Sequence, residues 1–399
     1  MDMPLAGIKI VDLTSAVVGP YATQILADYG ADVIKLEEKS GDIIRWISGK
    51  SRTPGMSGKF MHMNRNKRSI SLNLKTEDGK QALSRLVKGA DVFLHNMRPD
   101  AAKRLGITFE ALEQLNPNLI YCSIVGFGQD GRYRSNPAYD SILQGGTALA
   151  SLFAASGGEP RYVPFVVVDR MAALMVTHTL MAALFGRQRD GKARDIQIPM
   201  FESFATVVLS EHLYGRTFEP AIGTVGDARL LDANAKPVRT IDGYICITTN
   251  TDAQVLAMFD AFARPELKED TRFNTALARI EHIKAFFELR ASEVARQTTA
   301  HWIKAFSAHD VPVMPCHTLE SLLDDPHLAE VGLLSKMEHP TQGTVLSINV
   351  PTKMTGFEPT VRLPAPHIGQ HTSAVLSELG YGAQEIEEMY ASGAAFQTV

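Results

Sequence analysis

GIKIVDLTSAVVGPYATQILADYGADVIKL, residues 7–36, is the stretch on which the fold turns. Gly7 to Leu13 has the β-branched run of a strand, Gly19 to Tyr29 the apolar spacing of a helix, and Ala31 to Leu36 a second short apolar run. Strand, helix and strand in that order make a βαβ unit, which predicts a parallel sheet covered by helices. Further along, Lys80 to Lys88 reads as a helix, and Asp91 to His95 and Asn118 to Val125 as strands. The first 130 residues are therefore expected to form a doubly wound, Rossmann-like α/β layer. The dinucleotide fingerprint G-x-G-x-x-G is missing, because Thr14 to Pro20 follows the first strand instead. Ligands of open α/β sheets bind beyond the carboxyl ends of the strands, and Thr14 to Val18 occupy such an end. Gly19-Pro20 suits either a plain turn or a phosphate or adenosine site at a helix start.

The second half supports a division into parts. Met171 to Arg187 reads as a long apolar helix, Arg189 to Lys192 as a turn, Ala193 to Ile198 as a strand and Phe201 to His212 as a helix. Tyr214 to Pro237 is rich in Gly, Pro, Ala and Asp and has weak periodicity. Ile241 to Ile247 resembles a hairpin arm, with helices expected at Asp252 to Phe262, Ile280 to Arg296 and Thr299 to His309. The expected organisation is a large domain over 1–205, a linker over 206–237, a smaller α+β domain over 238–325, and a return segment over 326–399 that completes the large domain. Beyond Leu319 the pattern predicts a helix, strands around Gly343 to Met354 and an amphipathic tail, Ser373 to Ala391.

Composition excludes several classes of function. A chain of 399 residues outgrows one core. Forty basic against forty-four acidic residues leave a net charge of −4, so no global field draws nucleic acid or an anionic membrane. Cys122, Cys246 and Cys316 lie far apart with no C-x-x-C pair, which argues against a disulfide framework or zinc site and fits a reducing cytoplasm. MDMPLAGIKI lacks a basic segment followed by an apolar run, so no secretory signal is expected. Met171 to Phe185 is shorter than a comfortable membrane span of about 20 residues and reads as a buried core helix. His367 and His371 have i, i+4 spacing without a third ligand nearby, so a turn and helix start is preferred to a metal site.

Asp169 closes the apolar run Val163 to Val168, which reads as a strand, and precedes the long helical pattern. A helix N-terminus offers free N–H groups and positive partial charge, so a carboxylate there is expected to stay ionised and to point outward. Its plainer role is an N-cap. Its chemical role is that of a nucleophile toward an acyl group, and the two are compatible.

Several segments in fixed order resemble one family. They are Gly7 to Leu13, Gly19-Pro20, Leu26 to Glu37, Asn66 to Ile70, Ala90 to Val92 with Asn96, Pro137 to Asp140, Asp169, Asp242-Gly243, and Ala365 to Thr372. Together they resemble the class III CoA-transferases, the group that contains formyl-CoA transferase and its carnitine and bile-acid CoA-transferase relatives. The resemblance implies that Asp169 is the nucleophile and that acyl transfer runs through an aspartyl anhydride and an aspartyl-CoA thioester. CoA and acyl-CoA are then substrates, a small carboxylic acid is the acceptor, and no metal or permanently bound cofactor is implied. It also implies an interlocked homodimer. Carried over residue by residue, the CoA contacts are Ser15, Ala16, Val17, Leu72, Lys75, Asn96, Met97 and Arg104. Lys39 joins them one position away from the family's basic residue, where this chain has Glu38. Tyr139 and Asp140 match a pair bordering the active site, and either serve there or pack under a turn.

Two departures stand out. No run of four glycines lies between Gly226 and Pro237, and Arg170 follows Asp169 where several relatives carry Ser or Lys. Arg170 or Arg161 is expected to hold the second carboxylate of a dicarboxylic acid, since guanidinium makes paired contacts with carboxylate. An α-methylacyl-CoA racemase of the same fold is the rival reading. It would need a His at the position of Tyr139, and tyrosine is a poor base at neutral pH. A non-catalytic CoA-binding protein, with Asp169 as a cap only, is the third.

Overall fold

The computed structural model describes residues 3–398. Six strands run parallel: β1 (Lys9–Leu13), β2 (Asp32–Glu37), β3 (Lys67–Leu72), β4 (Val92–His95), β5 (Ile120–Val125) and β6 (Arg194–Pro199). They lie in the order β3-β2-β1-β4-β5-β6. The order reverses between β1 and β4, which opens a crevice at their carboxyl ends. β7 (Val238–Arg239), β8 (Tyr244–Ile247) and β9 (Val313–Pro315) form an antiparallel sheet, and β10 (Leu334–His339) pairs antiparallel with β11 (Gly343–Ile348). β12 (Ala395–Phe396) returns to the large sheet, antiparallel to β3.

The β3 strand has no counterpart among the strands expected from sequence. Its residues, KRSISL, are buried throughout except Arg68, and Lys67 is fully buried, so charge masks the apolar run. The strand expected over Val163 to Val168 does not form. Helix begins instead at Val167 and runs to Asp190, which places Asp169 inside the first turn rather than in front of it. Val168, Ala172, Ala173, Val176, Thr177, Leu180, Ala183 and Leu184 form its buried stripe at helical spacing, and it packs on the helix Val18–Asp28. Gly191 ends it in a left-handed conformation, its N–H bonded to the Arg187 carbonyl. With 24 residues it is longer than Met171 to Phe185, and long and apolar enough to cross a membrane by length and composition.

Two compact units divide the chain. One holds the residues through Leu143, Pro164–Thr206 and those from His327 onward; the other holds Gln144–Val163 and Val207–Pro326. Gln144–Val163 thus groups with the smaller unit although the large domain surrounds it in sequence. The stretch 206–237, read as a linker, starts in the helix Met200–His212 and continues as a loop closed on itself. The Gly226 and Asp227 N–H groups bond His212, and those of Gly215 and Ile222 bond Thr224 and Gly215. In the smaller unit the helices Asp252–Ala261, Ala276–Glu281, Ile283–Val294 and Thr299–Ala308 accompany β7-β8-β9 around a core that includes Phe259, Phe286, Trp302 and Phe306. His282 separates two helices where one, Ile280 to Arg296, was expected.

Candidate active site

A chain of buried charges lies under the carboxyl edge of the large sheet. The Lys67 ammonium donates to Asp12 (3.2 Å), the Pro20 carbonyl (2.9 Å) and Asn64 (2.9 Å). Lys35 donates to Asp42 (3.0 Å) and to the Thr14 carbonyl (2.9 Å). Arg45 meets Glu37 through two bonds of 2.8 and 2.7 Å. Burial pushes the Asp12 carboxyl up, but Lys67, Lys35 and the hydroxyls of Thr14 and Thr23 outweigh it and bring it down to about 2. Burial pulls Lys67 down to about 8 in spite of Asp12, which leaves the pair ionised at neutral pH.

These charges hold the loop after β1. Asp42 accepts the Ala16 N–H (2.9 Å) and the Ile44 N–H (3.0 Å) while paired with Lys35. Ala16 sits at φ 66°, a left-handed conformation that costs an L-residue roughly 1–2 kcal/mol and so needs such support. Ser15 is clamped across to β4: its N–H donates to Asn96 (3.0 Å), and the Asn96 amide donates back to the Ser15 carbonyl (2.9 Å). Gly19 is required for closeness rather than for its own turn, because a Cβ there would lie 2.2 Å from Thr14. Buried His95 accepts the Met97 N–H at Nδ1 (3.2 Å) and meets Tyr121 through Nε2 (2.6 Å). Burial lowers His95 to about 4, so it is neutral and its tautomer is set by these two bonds.

The loops enclose a cleft of about 470 Å³ at the switch point. Ser15, Ala16 and Val17 line it from β1, Asn96 and Met97 from β4, and Tyr139, Asp140 and Asp169 from beyond β5. Eight residues named from sequence therefore meet in one place. Asp169 is the third residue of its helix, so it is not the N-cap; Val166 is, without a side-chain cap. The capping group is Asp140, whose Oδ1 accepts the N–H groups of Val168 (2.8 Å) and Asp169 (3.2 Å). Asp140 itself opens the helix Asp140–Gly146 and is buried. Asp169 is half-buried, and burial together with the nearby Asp140 charge pushes its carboxyl up to about 7, against the opposing pull of Arg170 and Lys59. This corrects the expectation of a firmly ionised carboxylate: desolvation and a like charge outweigh the helix terminus.

The other sequence-named residues lie elsewhere. Leu72 is fully buried in the sheet core, so its side chain is closed to a ligand. Lys75 and Arg104 are exposed, and Lys39 lies over the Phe396 ring at 5.0 Å; none lines the cleft. Lys39 and Lys75 follow β2 and β3 at the same carboxyl edge as the cleft loops. Arg170 turns from the cleft to stack on Tyr21 at 4.2 Å, and its Nε is buried with no hydrogen-bond partner among the described residues. Arg161 belongs to the smaller unit and stacks on Phe153. The cations that do line the cleft are Arg98 and Arg134, missed because each sits in an irregular segment with no periodic signal. Among the described residues no group of three or more His, Cys, Asp or Glu is placed to hold a metal ion.

A cleft with a half-buried carboxyl at the switch point of a sheet without the dinucleotide glycines sets the class, and comparison with known proteins sets the family. The model of CoA-transferase family III matches residues 5–372, and the chain belongs to that family. It is 30% identical to succinyl-CoA:glutarate CoA-transferase of Mus musculus, over 98% of this chain and 90% of that protein. It is 32% identical to formyl-CoA:oxalate CoA-transferase of Escherichia coli O6:H1, over 98% of this chain and 99% of that protein. Among solved structures, a CaiB/BaiF family protein from Brucella suis superposes with a TM-score of 0.80 at 29% identity, covering 95% of this chain and all of that one. The protein is an enzyme that transfers CoA, and CoA thioesters are its substrates.

Proposed function

We propose that the enzyme moves CoA from an acyl-CoA to a dicarboxylic acid through covalent intermediates on Asp169. The Asp169 carboxylate attacks the thioester carbonyl; the C–S bond breaks and CoA leaves as thiolate, giving a mixed anhydride. The thiolate attacks the aspartyl carbonyl and expels the donor acid, leaving an aspartyl-CoA thioester. An acceptor carboxylate displaces the thiolate to form a second anhydride. The thiolate then takes the acceptor acyl group and returns Asp169 to its starting state. The helix that begins at Val18 on the cleft wall presents, at that start, free N–H groups suited to a developing oxyanion.

The observation that carries this reading is the half-buried Asp169 carboxyl at the head of its helix, opening into the switch-point cleft beside Asp140. A dicarboxylic acceptor is supported by the likeness to the succinyl-CoA:glutarate and formyl-CoA:oxalate CoA-transferases. Arg98 and Arg134 in the cleft are the cations to receive the second carboxylate, in place of Arg170. Tyr139, 75% exposed on the cleft wall, stands where the racemase reading needs a base, and its phenol is unsuited to that role. The reading also includes a homodimer, which the apolar side chains exposed along the long helix favour.

Purified enzyme incubated with succinyl-CoA and glutarate is expected to form glutaryl-CoA, and hydroxylamine added during turnover to convert Asp169 to its hydroxamate. Asp169→Asn should lose roughly a thousandfold or more in rate. Labelling of a different side chain, or transfer that survives in Asp169→Asn, sinks the proposal.

A further inference from the structure

The smaller unit holds a cavity of about 680 Å³ that shares no lining residue with the Asp169 cleft. Helix Ile283–Val294 supplies one wall through Ile283, Phe286, Phe287 and Arg290, residues spaced i, i+3, i+4 and i+7 and therefore on one face. The segment after β8 contributes Thr249 to the lining, and β9 contributes Met314.

Arg290 is only 5% exposed, yet among the described residues no carboxylate pairs with it. One Nη1 bond reaches the Ile247 carbonyl at 3.3 Å, the Nε makes none, and the group lies over the Phe287 ring at 4.5 Å. The Thr249 hydroxyl beside the same cavity is also buried without a hydrogen-bond partner among the described residues. The other cavity arginines behave differently: Arg279 is bonded to Asp252 and to the Phe273 carbonyl, and Arg229 is paired with Asp227. Buried charges are normally paired, because removing an ion from water costs several kcal/mol. Burial lowers the Arg290 guanidinium only to about 10, so it stays charged at neutral pH and needs an anion.

We propose that this cavity is a second ligand site, which binds an organic carboxylate by its head on Arg290 and Thr249 and by its apolar body on Ile283, Phe286 and Phe287. A guanidinium fork matches a carboxylate, and the volume and apolar wall suit a small acid. The site does not depend on the role of Asp169.

Isothermal titration calorimetry with hexanoate, without acyl-CoA, tests it. Hexanoate is expected to bind saturably, its neutral analogue hexanamide not to bind, and Arg290→Met to weaken hexanoate roughly tenfold or more. Arg290→Met should melt no lower than the parent, because it removes an uncompensated charge. Ile280→Trp, a change at a part-exposed lining residue, should block hexanoate with all charges in place, and it decides the matter should Arg290→Met fold poorly. Asp169→Asn should abolish CoA transfer while hexanoate still binds in an Arg290-dependent way. The proposal is overturned by no hexanoate binding to the parent, by equal affinity in the blocking variants, or by inorganic phosphate binding through Arg290 where hexanoate does not.

Discussion

At the scale of single residues, the proposed mechanism makes the chemistry depend on the ionisation of Asp169. In that mechanism the nucleophile is the carboxylate, and a carboxyl raised to about 7 is only about half ionised at neutral pH. The kcat/KM for acyl-CoA should therefore rise between pH 6 and 8 with an inflection near 7, as stopped-time assays across buffers would read. Asp140→Asn keeps an oxygen for the Val168 and Asp169 N–H groups but removes the like charge, so the inflection should move to lower pH. An inflection unmoved by Asp140→Asn would assign the raised value to burial alone. Stability runs the opposite way with pH. Because the folded pKa exceeds the unfolded one, the favourable contribution is complete below about 3.8 and is lost as pH rises through about 7. Asp169→Asn should thus stabilise at pH 8 by about 2 kcal/mol after allowance for partial exposure, and by nothing near pH 3. Denaturant titrations at the two pH values read the difference.

At the scale of elements, the loop after β1 is a strained segment held by charges buried beneath it. Ala16→Gly should be neutral or stabilising by up to about 1 kcal/mol, since glycine occupies φ 66° freely, whereas Ala16→Val should cost roughly 1–2 kcal/mol. Asp42→Ala removes the acceptor of two N–H groups and leaves Lys35 buried beside a single carbonyl; a loss of about 3–5 kcal/mol is expected. Thermal melts check both, and KM for acyl-CoA should rise in Asp42→Ala more than kcat falls, because the loop lines the cleft rather than bearing the nucleophile. A matching loss of kcat with KM unchanged would contradict that division of labour. The helix Val167–Asp190 shows the same economy of elements: its first turn presents Asp169 and its last ends on Gly191, while its middle is core.

For the whole molecule, the exposed face of that helix makes a prediction about assembly. Leu174, His178, Met181 and Phe185 recur at i, i+4, i+7 and i+11, and all four are exposed, three of them large and apolar. Such a stripe is the signature of a helix that meets another surface. Light scattering should give twice the 43.7 kDa chain mass, and Met181→Lys with Phe185→Glu should reduce it toward one chain. A monomeric parent protein would remove the homodimer from the proposal.

The βαβ order of the first 130 residues, the helix from Gly19 and the meeting of Ser15, Asn96, Tyr139 and Asp169 were legible in the chain, because apolar periodicity and motif order are local properties. What escaped was decided by burial of charge. Lys67 hid β3, Val163 to Val168 looked like a strand until Asp140 was seen capping a helix from across the fold, and Leu72 looked accessible until the sheet enclosed it. The raised Asp169 carboxyl, the stacking of Arg170 on Tyr21 and the unpaired Arg290 belong to the same class. Sequence by itself determined the βαβ layer and the family; tertiary structure alone decided the strand order with its switch point, which charges are paired, which are stranded and which face the cleft. The reason is that secondary structure follows from neighbours along the chain, whereas desolvation and Coulomb energy depend on neighbours in space.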